Sequence, residues 1–281
     1  ALMSQYAHPE VLVSTQWLSD HLHDDNLQVV EVEMTPASHQ SAHIPGAVFW
    51  HIPADLLKPN LRQNLDIAAM EALLARSGIT PKTPVIAYGS FADTGGWIFW
   101  LLQACGHNNV LVLDGGYQKW VSEGHSVVEV LTPVEPTQYA AQPLNSSLWV
   151  SYAEIQANFG SAEQVLVDVR TEPEYRGEIF MLESPKGSER AGHISGAIHV
   201  EHSLMFNEDG TFKSFEALKT LFIDRGITPE KTVIPYCAIG ARSACVWFVL
   251  AYLLGYPDVC NYEGSWNEWS QVPNSQVESD Y

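Results

Sequence analysis

The sequence has few cysteines for its length, and they are widely separated. Only four occur among 281 residues. None of them forms a Cys-x-x-Cys pair or a His/Cys spacing that is typical of a metal site. A disulfide framework is therefore excluded, and we expect neither a metal ion nor any other cofactor.

Basic residues are scarce as well. The chain has 14 lysines and arginines against 33 aspartates and glutamates, which leaves a formal net charge of −19. Nucleic acids and anionic membrane surfaces are poor partners for such a chain, because both bind through basic patches. An isolated cation is correspondingly informative, because a small anion must find local positive potential against the field of the whole protein.

Long apolar runs are missing too. No stretch approaches the roughly 20 consecutive apolar residues that a membrane-spanning helix needs. The hydrophobic content of 46% is ordinary for a globular protein with sizeable cores. We therefore expect a soluble, cytoplasmic protein without a membrane partner.

The two halves of the chain repeat each other. Residues 42–48 are Ala-His-Ile-Pro-Gly-Ala-Val, and residues 192–198 are Gly-His-Ile-Ser-Gly-Ala-Ile. The apolar run that ends at Tyr88 likewise recurs in the run that ends at Tyr236. A single period of about 150 residues indicates duplicated domains rather than a stack of short repeats.

Within each half, short β-rich runs alternate with helical patterns. This alternation predicts an α/β fold in which each half forms a mainly parallel sheet flanked by helices. We expect an amino-terminal domain over residues 1–132 and a carboxy-terminal domain over residues 148–281. Prolines and polar residues in the segment 133–147 predict a linker between them.

One turn in the second half combines a cysteine with features that favour its thiolate form. The apolar run 232–236 predicts a strand, and the apolar run 244–254 predicts a buried helix. Cys237 lies at the turn between them, where backbone N–H groups and a helix N-terminus can point at one atom. Arg242 adds a permanent positive charge. Cys237 is therefore our candidate nucleophile, in a loop suited to an anion.

The corresponding loop of the first half has no cysteine. Gly89 stands in the position of Cys237, and Ser90 follows it without a base that the sequence places nearby. Asp93 would repel an anion in this loop. We therefore expect the first domain to be catalytically inactive.

Four motifs together carry a family resemblance. They are Gly/Ala-His-Ile-x-Gly-Ala in both halves, Val-Asp-Val-Arg at 167–170, Cys-x-x-Gly-x-Arg at 237–242 and Asn-Tyr-Glu-Gly-Ser-Trp-x-Glu-Trp at 261–269. Their order over nearly the whole chain resembles the two-domain rhodaneses. The resemblance implies two tandem rhodanese-like domains, of which the second carries the active-site loop.

The resemblance also implies an activity. The implied activity is that of a thiosulfate sulfurtransferase. Such an enzyme moves sulfane sulfur from a small anionic donor to cyanide or a thiol acceptor, including a protein thiol. The sulfur is carried as a persulfide on Cys237. The residues expected to bind the substrate are Arg242, Ala238, Ile239, Gly240, Ala241, Arg176 and Arg190. Asp168 and Ser243 are expected to support the loop, Asp168 by holding Arg242 or by orienting the turn.

Three alternative functions stay open. Ile239 fits neither the thiosulfate nor the mercaptopyruvate loop pattern, so the loop leaves 3-mercaptopyruvate open as a second possible donor. Glu174 weakens this alternative, because it stands where some relatives place a substrate-binding arginine. A persulfide carrier for protein partners is another alternative. The third is a cysteine-dependent phosphatase of the Cdc25 kind. Its loop has more residues than the four between Cys237 and Arg242, and the shorter loop suits a sulfur atom better than a phosphate.

Overall fold

The computed structural model describes residues 5–24 and 26–281. The chain divides into two compact units. The amino-terminal unit comprises His8–Asn145 together with Phe206–Phe212. The carboxy-terminal unit comprises Ser146–Met205 and Lys213–Tyr281, together with the described residues that precede His8. In the described part of the chain, no helix combines the length and the apolarity that a membrane span requires.

The amino-terminal unit contains a five-stranded parallel sheet. Its strands are β1 (Leu12–Val13), β2 (Gln28–Glu33), β3 (Val48–His51), β4 (Val85–Tyr88) and β5 (Val110–Leu113). Their order across the sheet is β1-β5-β4-β2-β3. The α-helices are α1 (Thr15–His21), α2 (Ala37–Ser41), α3 (Ile67–Arg76), α4 (Thr94–Ala104) and α5 (Gly116–Ser122), with a 3₁₀ turn at Pro9–Val11 and a π-helical turn at Ile52–Leu56.

The carboxy-terminal unit is built in the same way. Its strands are β6 (Gln164–Asp168), β7 (His193–Ile194), β8 (Ile198–His199), β9 (Thr232–Tyr236) and β10 (Val277–Glu278). Its helices are α6 (Tyr152–Ala157), α7 (Glu172–Arg176), α8 (Phe215–Ile223), α9 (Ala241–Phe248) and α10 (Ser265–Trp269), with 3₁₀ turns at Ser146–Leu148 and His202–Met205 and a π-helical turn at Val249–Leu253.

Parallel pairing in this unit follows the order β8-β6-β9. Two isolated parallel bridges, from Val233 to Val259 and from Asn261 to Trp149, continue it on the far side of β9. The succession of segments therefore repeats that of the five-stranded sheet. β7 and β10 form a separate antiparallel pair. The predicted α/β fold with two tandem domains is confirmed.

Hydrogen bonds explain why the His-Ile motif recurs. In the amino-terminal unit, Ile44 N–H donates to the hydroxyl of Tyr88 over 3.0 Å. In the carboxy-terminal unit, Ile194 N–H donates to the hydroxyl of Tyr236 over 3.0 Å. Both tyrosines end a central strand and are buried. Each bond satisfies a main-chain donor inside the core, where an unpaired donor would be costly.

The strand before Cys237 lies where the sequence predicted it. The helix after it begins at Ala241, earlier than the predicted start at residue 244, and its regular α-helical part ends at Phe248. A π-helical turn covers Val249–Leu253. All residues from Ser243 to Phe248 are buried, which agrees with the predicted apolar run.

The segment predicted to be a linker has no helix or strand over residues 133–145. It nevertheless makes hydrogen bonds to the amino-terminal unit. Thr137 N–H donates to the carbonyl of Ala75 over 2.9 Å, and Asn145 N–H donates to the carbonyl of Ala104 over 2.8 Å. These bonds satisfy main-chain groups of a segment that has no sheet partner.

Residues 206–212 belong to the amino-terminal unit although they come from the second half of the sequence. Phe212 N–H donates to the Asp114 carboxylate over 2.8 Å, and the Gln118 side chain donates to the carbonyl of Glu208 over 2.8 Å. The sequence contains no periodic pattern that signals this docking.

The paired tyrosines yield a stability prediction. Tyr88→Phe and Tyr236→Phe should each lower the free energy of unfolding by about 1–3 kcal/mol, because each leaves a buried N–H without its acceptor. Urea denaturation measures the change. Tyr281→Phe, at an exposed carboxy-terminal ring, is the control and should stay within about 0.5 kcal/mol of the parent. Equal effects from all three variants would contradict the assignment.

Candidate active site

Cys237 follows β9 directly and is only 1% exposed. Two main-chain donors point at its sulfur. Gly240 N–H lies 3.2 Å from Sγ, and Ser243 N–H lies 3.4 Å from it. Both donors belong to the start of α9, where N–H groups have no intrahelical partner. A negative charge on this sulfur would therefore meet N–H dipoles at a helix N-terminus.

Gly240 produces this geometry. Its φ is +89°, in the left-handed region that residues with a side chain rarely adopt. A Cβ added there would lie 2.7 Å from the carbonyl oxygen of Glu263, which is closer than any side chain tolerates. Only glycine fits this position, and its turn directs the first N–H groups of the helix toward Cys237.

The first three residues of α10 hold the backbone of Cys237 and of Ala238. Cys237 N–H donates to Ser265 Oγ over 3.1 Å. The carbonyl of Cys237 accepts from Trp266 N–H over 2.9 Å, and the carbonyl of Ala238 accepts from Asn267 N–H over 3.0 Å. Residues 265–267, the Ser-Trp-Asn part of the fourth motif, therefore serve as a clamp on the loop.

The other predicted loop residues lie close to the cysteine in the chain and are less buried. Ala238, Ile239 and Ala241 are each of intermediate exposure, whereas Gly240 is buried. The two N–H groups that contact Sγ come from Gly240 and Ser243. The loop therefore has a buried inner part, which faces the sulfur, and an outer part that is partly open to solvent.

The guanidinium of Arg242 binds Glu174. Two parallel hydrogen bonds join them, Nη1 to Oε1 over 2.9 Å and Nη2 to Oε2 over 3.0 Å. Burial alone would raise the pKa of the Glu174 carboxyl, but the hydrogen bonds and the charge of Arg242 leave this pKa below its ordinary value. Glu174 is therefore ionised at neutral pH and offsets the positive charge that the sequence placed beside Cys237.

Asp168 binds Arg170 rather than Arg242. Arg170 Nη2 lies 2.6 Å from Asp168 Oδ2, and both side chains are almost fully buried. The same nitrogen donates to the carbonyl of Gly192 over 2.6 Å. The guanidinium also lies over the ring of Trp266, 4.7 Å from its centroid. Asp168 is thus linked through Arg170 to Trp266, which belongs to the clamp.

The remaining predicted arginines bind other parts of the carboxy-terminal unit. Arg176 pairs with Asp280 over 3.4 Å, and both side chains are well exposed. Its guanidinium also lies 5.4 Å from the centroid of the Tyr281 ring. Arg190 donates to Ser275 Oγ over 2.9 Å and to the carbonyl of the same residue over 2.6 Å. In the structure these contacts tie down the carboxy-terminal segment.

Comparison with known proteins decides the family. The family model for the rhodanese-like domain matches residues 14–123 and again residues 151–272. The chain belongs to the rhodanese family. Membership supports sulfur transfer as its chemistry.

Relatives at full length agree with this assignment. The sulfur carrier protein TtuD of Thermus thermophilus is 39% identical over 276 residues, which cover 95% of this chain and 96% of that protein. A Mycolicibacterium smegmatis protein named "putative thiosulfate sulfurtransferase" is 36% identical over 275 residues, covering 97% and 99%. A solved EanB variant with a cysteine persulfide and ergothioneine has a TM-score of 0.88 at 26% identity, covering 99% of this chain and 73% of that one.

The rhodanese loop of the amino-terminal unit has no room for a cysteine. A Cβ on Gly89 would lie 2.4 Å from the carbonyl oxygen of Val32. The next residue, Ser90, donates to the Glu33 carboxylate through both its N–H and its hydroxyl. A carboxylate thus occupies the donors of this loop, and a second anion would be repelled.

Sequence reasoning missed Asn261 in the other rhodanese unit. Its side-chain amide donates to the carbonyl of Gly240 over 3.0 Å and accepts from the hydroxyl of Ser243 over 2.7 Å. The internal repeat contained a signal for it. Alignment of the two halves places Val112 opposite Asn261, so that a polar residue replaces an apolar one only in the half that has the cysteine.

Within the described residues, no group of three or more histidine, cysteine, aspartate and glutamate side chains is arranged to hold a metal ion. Two ion pairs lie near the loop instead. They join Asp168 to Arg170 and Glu174 to Arg242. The arrangement offers main-chain donors and a sulfur nucleophile for its chemistry.

The buried ion pair yields a prediction about stability. Arg170→Ala should lower the free energy of unfolding by about 3–5 kcal/mol, because it leaves the Asp168 carboxylate buried without its partner. Arg176→Ala removes an exposed pair and should cost less than about 1 kcal/mol. Urea denaturation of the two variants, compared with the parent, measures both values. A larger loss for Arg176→Ala would refute the assignment of the structural pair.

Proposed function

We propose that the carboxy-terminal unit transfers sulfane sulfur through a persulfide on Cys237. The observation that carries this proposal is the placement of Sγ beside the N–H groups of Gly240 and Ser243. Such donors stabilise a negatively charged sulfur, both in the attacking thiolate and in the persulfide anion. The persulfide in the solved EanB variant is consistent with this chemistry.

The proposed reaction has two halves. The Cys237 thiolate attacks the outer sulfur of thiosulfate, the S–S bond of the donor breaks, and sulfite leaves with the electron pair. The product is a persulfide anion on Cys237. An acceptor, cyanide or a thiolate, then attacks the outer sulfur, and the Cys237 thiolate is released. A covalent intermediate shared by two half-reactions predicts ping-pong kinetics.

The acceptor comes from outside the chain. Burial raises the pKa of Cys105 to about 12, and burial, with a smaller contribution from nearby carboxylates, raises that of Cys260 to about 11. Both thiols are therefore protonated at neutral pH and are poor nucleophiles. Cys245 is fully buried. A second cysteine of this chain is thus not the favoured recipient of the sulfur.

Thiosulfate is our proposed donor, and a carrier role for protein partners is the second candidate. One observation favours the carrier. The Arg242 side chain is 25% exposed, and its guanidinium pairs with Glu174, so little net positive charge is available for a free dianion. The TtuD relative, named as a sulfur carrier, agrees with this alternative. The same pairing gives no preference to 3-mercaptopyruvate or to a phosphate ester, because both are anionic, as thiosulfate is.

The nucleophile has a direct test. Cys237→Ser should lower the rate of thiocyanate formation from thiosulfate and cyanide by on the order of 10³-fold or more, because the covalent route is lost. Intact mass should show one added sulfur atom on the parent after thiosulfate treatment and none on the variant. Cys260→Ser is the matched control and should keep both properties. Sulfur uptake by Cys237→Ser would exclude the proposed mechanism.

The Glu174→Gln variant distinguishes free thiosulfate from a persulfidated protein as the sulfur donor. If thiosulfate binds beside Arg242, the released charge should lower the KM for thiosulfate roughly two- to fivefold. Arg242→Ala in the Glu174→Gln background should reverse the gain. Glu172→Gln, an equal change of charge at an exposed position of α7, should have no such effect.

A contrary result has a defined meaning. If Glu174→Gln leaves the KM for thiosulfate at the value of the Glu172→Gln control, free thiosulfate does not bind at Arg242. Rapid sulfur uptake from a persulfidated protein by the same preparations would then identify the carrier as the better account. Parallel assays with 3-mercaptopyruvate complete the comparison.

A further inference from the structure

The side chain of Asn261 is completely buried and has a single possible orientation. One of its side-chain atoms lies 3.0 Å from the carbonyl oxygen of Gly240. A carbonyl oxygen only accepts hydrogen bonds, so the Asn261 NH₂ group must face it. The side-chain oxygen then faces Ser243 Oγ at 2.7 Å. It accepts from that hydroxyl, so the Ser243 hydroxyl hydrogen is directed at Asn261.

This orientation determines what Ser243 offers to the sulfur. Ser243 Oγ lies 3.4 Å from Cys237 Sγ. Because its hydrogen is directed at Asn261, the hydroxyl presents only lone pairs to the sulfur and accepts from the S–H group of the thiol. A thiolate would face these lone pairs. It would gain a third donor only if the hydroxyl turned and left the buried oxygen of Asn261 unpaired, which is costly.

We propose that Asn261 is a positioning residue that holds the Ser243 hydroxyl as an acceptor for the Cys237 thiol in the sulfur-free protein. Asn261 acts through Ser243 and contributes to the reactivity of Cys237 without contacting the substrate. The bond from the thiol is lost on sulfur loading, because Sγ then carries no hydrogen. Asn261 thus lowers the reactivity of the empty cysteine through a hydrogen bond that the loaded cysteine cannot make. The loading step rests on the proposed function.

The duplicated fold provides an internal comparison. In the amino-terminal unit, Gly95 and Val112 take the places of Ser243 and Asn261. A Cβ on Gly95 would lie 3.2 Å from Val112 Cγ1, so an apolar side chain contacts the helix there, without a polar side-chain pair. The packing of the fold therefore does not require the polar pair. The pair occurs in the half that has a cysteine at the end of the strand.

Other charged groups surround this loop. The Asp168–Arg170 pair lies at the end of β6, and the Glu174–Arg242 pair joins α7 to α9. The backbone of Glu263 packs against Gly240 from the segment before α10. None of these groups changes in the variants below, so their electrostatic effect on Cys237 is common to all of them.

The test measures the reactivity of the sulfur-free protein against pH. Iodoacetamide alkylation of Cys237 is followed by mass spectrometry, with peptide mapping to separate it from the other cysteines. Asn261→Val should move the midpoint of the rate profile to lower pH by on the order of one unit, because the freed hydroxyl can donate to the thiolate. In the Ser243→Ala background the same substitution should cause no movement.

Two further variants separate positioning from a loss of structure. Asn261→Asp keeps an oxygen that accepts from Ser243, so its midpoint should not move to lower pH even if its stability falls. Val112→Ala, at the equivalent strand position of the other unit, should leave the profile unchanged. Thermal unfolding of each variant shows whether it is folded at the temperature of the assay. If Asn261→Val is unfolded there, Asn261→Leu takes its place.

The outcomes are distinct. An unmoved midpoint in Asn261→Val and Asn261→Leu would overturn the proposal, and so would an equal movement in the Ser243→Ala background. The experiment uses no sulfur donor, so it stands apart from the proposed function. A shifted profile in a protein that takes sulfur neither from thiosulfate nor from a persulfidated protein would refute the sulfur-transfer proposal and leave the positioning role intact.

Discussion

The main-chain N–H groups around a buried sulfur are the interaction on which the site depends. Cys237 is nearly inaccessible, and a charge at such a place is costly unless donors surround it. Gly240 and Ser243 supply two of these donors. Their direction depends on a left-handed turn that only glycine permits, and on the clamp that Ser265 places on the cysteine backbone. Because these are backbone dipoles, their position is determined by the fold itself.

The side-chain charges near the loop, unlike the main-chain dipoles, occur in opposite pairs. In a chain with a net charge of −19, the cations near the loop are matched by carboxylates. Arg170 is paired with Asp168, and Arg242 with Glu174. Removal of one partner from such a pair is more costly than its formation is stabilising, so these residues maintain the geometry of the site. The site thus combines fixed main-chain dipoles with paired side-chain charges.

Much of the architecture was predictable because it is local or repeated. The strand before Cys237, the buried helix after it and the duplicated α/β domains all follow from short apolar patterns. The partner of Arg242 was not predictable, because Glu174 lies 68 residues earlier and nothing in a single sequence connects them. The docking of residues 206–212 on the amino-terminal unit is long-range in the same sense. Comparison of the two halves could have identified Asn261, because it is polar where the first half has the apolar Val112. The roles of the individual site residues stay predictions.

We propose that Gly240 and Ser243 hold the sulfur of Cys237 while it carries a second sulfur atom. Amide resonances of the ¹⁵N-labelled protein, recorded before and after one equivalent of thiosulfate, test it most directly. The account predicts that the Gly240 and Ser243 signals shift in the parent and stay in place in Cys237→Ser. The account would be contradicted if both signals stayed unchanged in a protein that mass spectrometry shows to be persulfidated. It would also be contradicted if the shifts were confined to residues 89–95 of the amino-terminal unit.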